Sequence, residues 1–179
     1  VLGLLLAVAL IWVFTHFVRG SDGMPLFSIA LPPAMALQVA LIASVCGVLA
    51  AVAELVGPDA IVTTDVGQNQ MRAAQVWPCR RPGRFLTSGG LGTMGFGLPS
   101  AIGAALAEPG ATVVCVTGDG GLLMNVQELA TVVELGLPVK ILLMDNGVLG
   151  LVRQQQALFV GGRYTASTFA ARPDFPALA

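Results

Sequence analysis

Residues 111–146 read ATVVCVTGDGGLLMNVQELATVVELGLPVKILLMDN. Two apolar runs rich in Val, Ile and Leu, 111–119 and 138–146, flank a stretch of helical spacing that stops at Gly136. A strand apolar on both faces needs cover on both faces, so strand–helix–strand units of this kind point to a parallel sheet. The alternation extends upstream. AAVAELVG closes a helix at Gly57, and AIVTTDV (60–66) reads as a buried strand. GQNQMRAAQVW turns and becomes helical, and RFLTS (84–88) is another short strand. GGLGTMGFGLPSAIGAALAEPG is a Gly-rich loop feeding an Ala-rich helix that ends at Pro109-Gly110. The expected fold class is α/β, a parallel sheet with helices on both faces, preceded by an apolar helical segment. In such sheets ligands bind at the carboxyl ends of the strands, where the loops after Asp65, Thr117 and Asp145 fall.

Composition separates that unit from what precedes it. The chain has 179 residues, 55% of them hydrophobic and 11% charged, with mean hydropathy +0.82; an ordinary soluble domain carries roughly a quarter charged residues. Residues 1–53 hold only Arg19 and Asp22 as charges. The expected division is 1–45, an apolar helical segment, and 46–179, the α/β domain. Residues 1–18, followed by Arg19, are just long enough for a membrane span, with Trp12, Phe14 and Phe17 toward the Arg19 end as interfacial aromatics. Ala34–Ala53 is a second uncharged run, either a span or a buried helix. The alternative for 1–45 is a fusion or reading-frame artefact, since the sequence does not start with Met and reads as a fragment. The expected location is the cytoplasm for 46–179, with membrane attachment carried by 1–18 if that span is genuine. A net charge of −1 gives no electrostatic case for nucleic acid. Cys46, Cys79 and Cys115 lack CxxC spacing and read as reduced thiols.

The GDG at 118–120 and the Asn at 146 end successive strands. If those strands are neighbours, a separation of 27 residues collapses to one edge of the sheet. Asp119 then offers a carboxylate, Asn146 an amide oxygen and the turn at Gly147-Val148 a backbone carbonyl. This hard, all-oxygen set with open positions suits Mg²⁺, which keeps phosphate oxygens and water in its shell. The N–H groups of Gly120 and Gly121 precede a helix and suit a diphosphate. A lone GDG is weak; GDG, the strand–helix–strand spacing and the terminal Asn together are strong.

That combination resembles the thiamine diphosphate motif. More narrowly, TTDVGQNQM, LTSGGLGTMGFGLPSAIGAALA, GDGGLLMNVQELAT and LGLVRQQQALF resemble the large catalytic subunit of acetolactate synthase (acetohydroxyacid synthase), over residues 46–179. The resemblance implies the C-terminal, diphosphate-binding domain of that family, truncated at its C-terminal end. It implies Mg²⁺ on Asp119, Asn146 and the Val148 carbonyl, and the diphosphate on Gly118, Gly120, Gly121 and Asn146. A second cofactor loop falls on Val66, Gly67, Gln68 and Asn69. Two departures stand out: Gly121 where Ser is usual, and Asn69 where His is common. Gly92 and Met94 match the loop under the thiazolium, Met94 as the apolar wedge that bends the cofactor. Leu151 and Gln155 fall at the pocket for the second substrate, Gln155 where Trp is common, with Arg153 nearby.

The implied activity is decarboxylation of pyruvate and its condensation with a second 2-keto acid, a step of branched-chain amino acid biosynthesis. The implied partners are 2-keto acids, a pyrimidine-binding domain supplying a catalytic glutamate this chain lacks, a homodimer mate and a regulatory small subunit. FAD belongs to a family domain also missing here. The expectation is a chain inactive alone. The rival readings are another thiamine-dependent carboligase or decarboxylase, and an inert, binding-only remnant.

Overall fold

The computed structural model describes Val13 and residues 33–178; the expected span at 1–18 lies outside them, Val13 apart. The chain divides between Val48 and Leu49. Helix α1 (Pro33–Val56) runs through that division and ends at Gly57, whose φ of +80° suits a residue without Cβ. Its stretch Leu37–Val56 is long and apolar enough to cross a membrane, by length and composition only.

The remainder follows the alternation read from the sequence. The elements are β1 (Ile61–Thr64), α2 (Gln68–Val76), β2 (Phe85–Thr87), α3 (Gly97–Ala107), β3 (Val113–Gly118), α4 (Asp119–Met124), α5 (Leu129–Glu134), β4 (Lys140–Met144), α6 (Gly150–Phe159) and α7 (Phe175–Leu178). The four strands form one parallel sheet in the order β2-β1-β3-β4. Because β1 and β3 pair Ile61 with Val113 and Thr63 with Cys115, those four side chains share a face. There Leu98, Ala101, Ile102 and Ala105 of α3 cover Ile61, Val113 and Cys115, with Phe175 joining the same cluster. The opposite face carries Val62, Val114 and Val116, at most 1% exposed, with α2 against β3. Both faces are covered, which is why these strands contain no polar alternation.

The crossover between β3 and β4 departs from the expected single helix. It breaks at Asn125 (φ −137°, ψ 35°), passes through a 3-10 turn, Val126–Glu128, and resumes as α5. The cause is non-local: Asn125 Nδ2 donates to the carbonyl of Gly95 at 2.7 Å. An Asn side chain satisfied that way competes with continued helix.

The sheet also sorts the thiols. Burial pushes the Cys115 thiol up to about 12, whereas Cys79 is exposed. Thiolate is the reactive form. A disulfide reagent at pH 8 should therefore modify Cys79 in the native chain and Cys115 only after denaturant is added, as read by mass spectrometry of the labelled peptides.

Candidate functional site

The strand order places β1 between β2 and β3, so the chain leaves β1 toward one edge and returns on its other side. The crevice at such a reversal, at the carboxyl ends of the strands, is where open α/β sheets take ligands. Three loops meet there: 65–69 after β1, 118–121 after β3 and 145–149 after β4.

Asp119 and Asn146 are brought together as the spacing predicts. Gly118 pairs with Met144, so both residues lie just past paired positions. Asp119 is 2% exposed. Its Oδ1 accepts from Gly120 N at 2.9 Å and its Oδ2 from Gly147 N at 2.8 Å. Asn146 is exposed, and its Oδ1 accepts from Val148 N at 3.1 Å. Val148 bridges antiparallel to Thr168. The flanking bonds, Leu149 N to Ser167 O and Phe169 N to Gly147 O, do not use the Val148 carbonyl. Each carboxylate or amide oxygen has two acceptor positions, so one on each remains for a cation.

The electrostatics suit a cation. Burial raises the Asp119 carboxyl above the usual carboxylate range, the N–H groups of Gly120 and Gly147 draw it back, and the neighbouring Asp145 carboxyl raises it again. Asp145, unremarked in the sequence beyond ending a strand, is paired with Arg172. Among the described residues no group of three or more His, Cys, Asp or Glu is placed to hold a metal. A cation here would rest on one carboxylate, an amide and a carbonyl, a donor set fit for Mg²⁺ and poor for zinc.

Met94 converges on the same place. A Cβ added at Gly120 would lie 2.5 Å from Leu149 Cδ2, 3.3 Å from Phe169 Cζ and 3.6 Å from Met94 Cε. Three apolar side chains thus stand over the second glycine of GDG, and a Cβ there would require the Leu149 tip to shift. Gly92, in the same loop as Met94, has φ +66°. Gln68 spans from the β1 loop to α6: its Nε2 donates to Gln154 Oε1 at 3.0 Å, and a Cβ at Gly150 would sit 2.6 Å from its Oε1. Val66 and Gly67 are half-buried beside it. On α6, Leu151 is half-buried and Gln155 exposed, while Arg153 stacks on Tyr164 and donates to Thr168 Oγ1.

Asn69 faces inward. It is 7% exposed, and its Nδ2 donates to the carbonyls of Asp65 at 2.9 Å and Val116 at 3.3 Å. Its amide is engaged in tying β1 to β3. Gly121 also has a packing reason: a Cβ there would lie 2.4 Å from Asp65 Oδ1, so the usual Ser of the resembled family would require Asp65 to move. The sequence reading missed two features. Residues 163–175 form a strap held to the 145–149 loop by Leu149 N to Ser167 O and Phe169 N to Gly147 O, and to α6 by the Oγ of buried Ser167, which donates to Gln156 Oε1 at 2.7 Å. The other is Asp65 itself, 1% exposed, with backbone N–H groups from distant loops on its carboxylate.

Comparison with known proteins places the chain in a family. The family described as thiamine pyrophosphate enzyme, C-terminal TPP binding domain, matches residues 65–179. Acetolactate synthase isozyme 1 large subunit of Escherichia coli is 56% identical over 133 residues, 74% of this chain and 24% of that protein. The isozyme 2 large subunit of the same organism is 59% identical over 121 residues, 68% of this chain and 22% of that protein. A probable acetolactate synthase large subunit of Methanococcus aeolicus is 53% identical over 124 residues, 69% and 21% respectively. This chain therefore spans under a quarter of the length of the curated relatives it matches. By sequence match and by fold, the chain belongs to the thiamine pyrophosphate enzymes through their C-terminal cofactor-binding domain, in the form that domain takes in acetolactate synthase large subunits.

Proposed function

We propose that residues 46–179 are the Mg²⁺- and diphosphate-holding part of an acetolactate synthase-like active site, preceded by an apolar segment over 1–45. The observation that carries this reading is the bond from Gly147 N to Asp119 Oδ2 at 2.8 Å. It joins the two ends of the motif at one point of the sheet edge, beside Met94.

In this reading Asp119, Asn146 and the Val148 carbonyl hold Mg²⁺, and the diphosphate lies at Gly118, Gly120 and Gly121 at the start of α4, where the Gly120 N–H is shared with Asp119 Oδ1. Val66, Gly67, Gln68 and Asn69 form the opposite wall, Asn69 through the backbone it ties together. Gly92 and Met94 shape the floor on which the ring system rests, while Leu149 and Phe169 exclude water. Leu151 and Gln155 face the second substrate, and a Gln at 155 relaxes the choice between keto acids. The bound cofactor supplies the carbanion chemistry that decarboxylates a 2-keto acid and joins it to another; the protein supplies binding, bent geometry and a dry site.

The reading assigns the chain pyruvate and a second 2-keto acid as substrates in branched-chain amino acid biosynthesis. It calls for a pyrimidine-binding domain carrying the catalytic glutamate, a homodimer and a regulatory small subunit, with FAD held by a further domain. In this reading the α/β part is cytoplasmic, and residues 1–18 are the segment that would meet a membrane. The 179-residue chain alone, given pyruvate, Mg²⁺ and thiamine diphosphate, should form no acetolactate above background in a colorimetric assay. Product above background would mean that a group within this chain replaces the missing glutamate.

A further inference from the structure

The β1 loop and the Met94 loop share one buried carboxylate, and the glycine loop packs against it at Gly121. Asp65 Oδ1 accepts from Val66 N at 2.9 Å and from Gly95 N at 3.0 Å, and Oδ2 accepts from Gly97 N at 2.8 Å. Its backbone N donates to Val116 O at 2.9 Å, fixing it to the sheet. Glycines close on it from two sides. A Cβ at Gly97 would lie 2.9 Å from Asp65 N, and one at Gly121 would lie 2.4 Å from Asp65 Oδ1. Three backbone N–H donors serve this carboxylate.

We propose that Asp65 is the positioning residue of the cofactor site. Resting on the cofactor reading above, it sets the distance between the Met94 loop, which carries the ring system, and the glycine loop, which carries the diphosphate. The chemistry of the side chain fits that task. Aspartate is acceptor-only, with about four lone-pair positions on a short stem, so it takes donors from both sides without a compensating donor of its own. Asparagine in the same place turns an NH₂ toward one of the three N–H groups. Glutamate is one methylene too long for a pocket walled by Gly97 and Gly121. Gly95 adjoins Met94, so a bond to Gly95 N fixes the backbone from which the wedge projects. The contribution of such residues comes from holding others at productive geometry.

The test uses the full 179-residue chain and its Asp65→Asn variant, titrated calorimetrically with thiamine diphosphate and separately with inorganic diphosphate, both with Mg²⁺. Amide hydrogen exchange is followed at Gly95, Gly97 and the β3 residues. In the variant, thiamine diphosphate should weaken about tenfold or more while inorganic diphosphate stays within about threefold. Exchange should quicken at Gly95 and Gly97 and remain slow in β3. If Asp65→Asn does not fold, Gly97→Ala, which pushes one donor away from Asp65, carries the same expectation at smaller amplitude. Equal weakening of both ligands, or no weakening, would overturn the proposal and leave the cofactor reading standing. No thiamine diphosphate binding by the unaltered chain would remove the reading and the proposal with it.

Discussion

Asp119→Ala should abolish the dependence of thiamine diphosphate binding on a divalent cation. Asp119 is the carboxylate of the proposed metal set, buried at the end of β3 and already pressed by Asp145. Truncation leaves one amide and one carbonyl, too few hard donors to draw Mg²⁺ out of its water shell. The expected loss in cation affinity exceeds the roughly 10–100-fold typical of removing an outer-shell partner, read with Mn²⁺ as a paramagnetic substitute in the presence of inorganic diphosphate. The change also strands Gly120 N and Gly147 N, which lose their acceptor, at a cost of about 1–3 kcal/mol in folding stability. Circular dichroism must therefore accompany the titration. Asp145→Asn is the contrast. Asp145 is half-exposed and engaged with Arg172, so its loss should leave cation binding within a few-fold of the parent chain.

Gly95→Ala should be strongly destabilising. Gly95 is buried with φ +86°, in the left-handed region. Its Cβ would stand 2.7 Å from Asn125 Nδ2 and 2.9 Å from Met124 Cβ. Left-handed backbone costs a residue with a Cβ about 1–2 kcal/mol, and overpacking at a buried site adds about 1–3 kcal/mol. The same methyl disturbs the bonds from Gly95 N to Asp65 and from Asn125 to Gly95 O. A total near 3 kcal/mol, measured by urea unfolding, is a large share of a typical domain stability of about 5–15 kcal/mol. Gly90→Ala serves as the control. Gly90 is exposed, has nothing within 4 Å of its Cβ position, and should shift stability by no more than about 0.5 kcal/mol.

The sheet and the meeting of Asp119 with the Asn146 loop were legible in the sequence because their signals are local. β3 is apolar from Val113 to Val116, where both faces are buried, and Gly57 and Gly136 mark helix ends with backbone conformations that favour glycine. GDG and Asn146 end consecutive strands of a crossover unit, and such strands lie side by side. The features that escaped depend on contacts between residues remote in the chain. Asp65 meets Gly95 and Gly97, 30 and 32 positions away. Asn125 breaks its helix to reach Gly95, and Arg172 returns to Asp145. No periodicity records such pairings. The inward turn of Asn69 belongs to the same class, since its partner Val116 lies 47 residues on. Gly121 stands where the resembled family usually has Ser; the packing of Asp65 against it supplies a reason for the glycine.

Calorimetric titration of the 179-residue chain with thiamine diphosphate, with Mg²⁺ and then with the cation chelated, tests the central claim most directly. The account predicts binding with one site per chain in Mg²⁺ and none without it. Equal binding in both conditions, or no binding by a chain whose circular dichroism reports the α/β fold, would contradict the assignment of Asp119, Asn146 and Val148 as a Mg²⁺-diphosphate clamp.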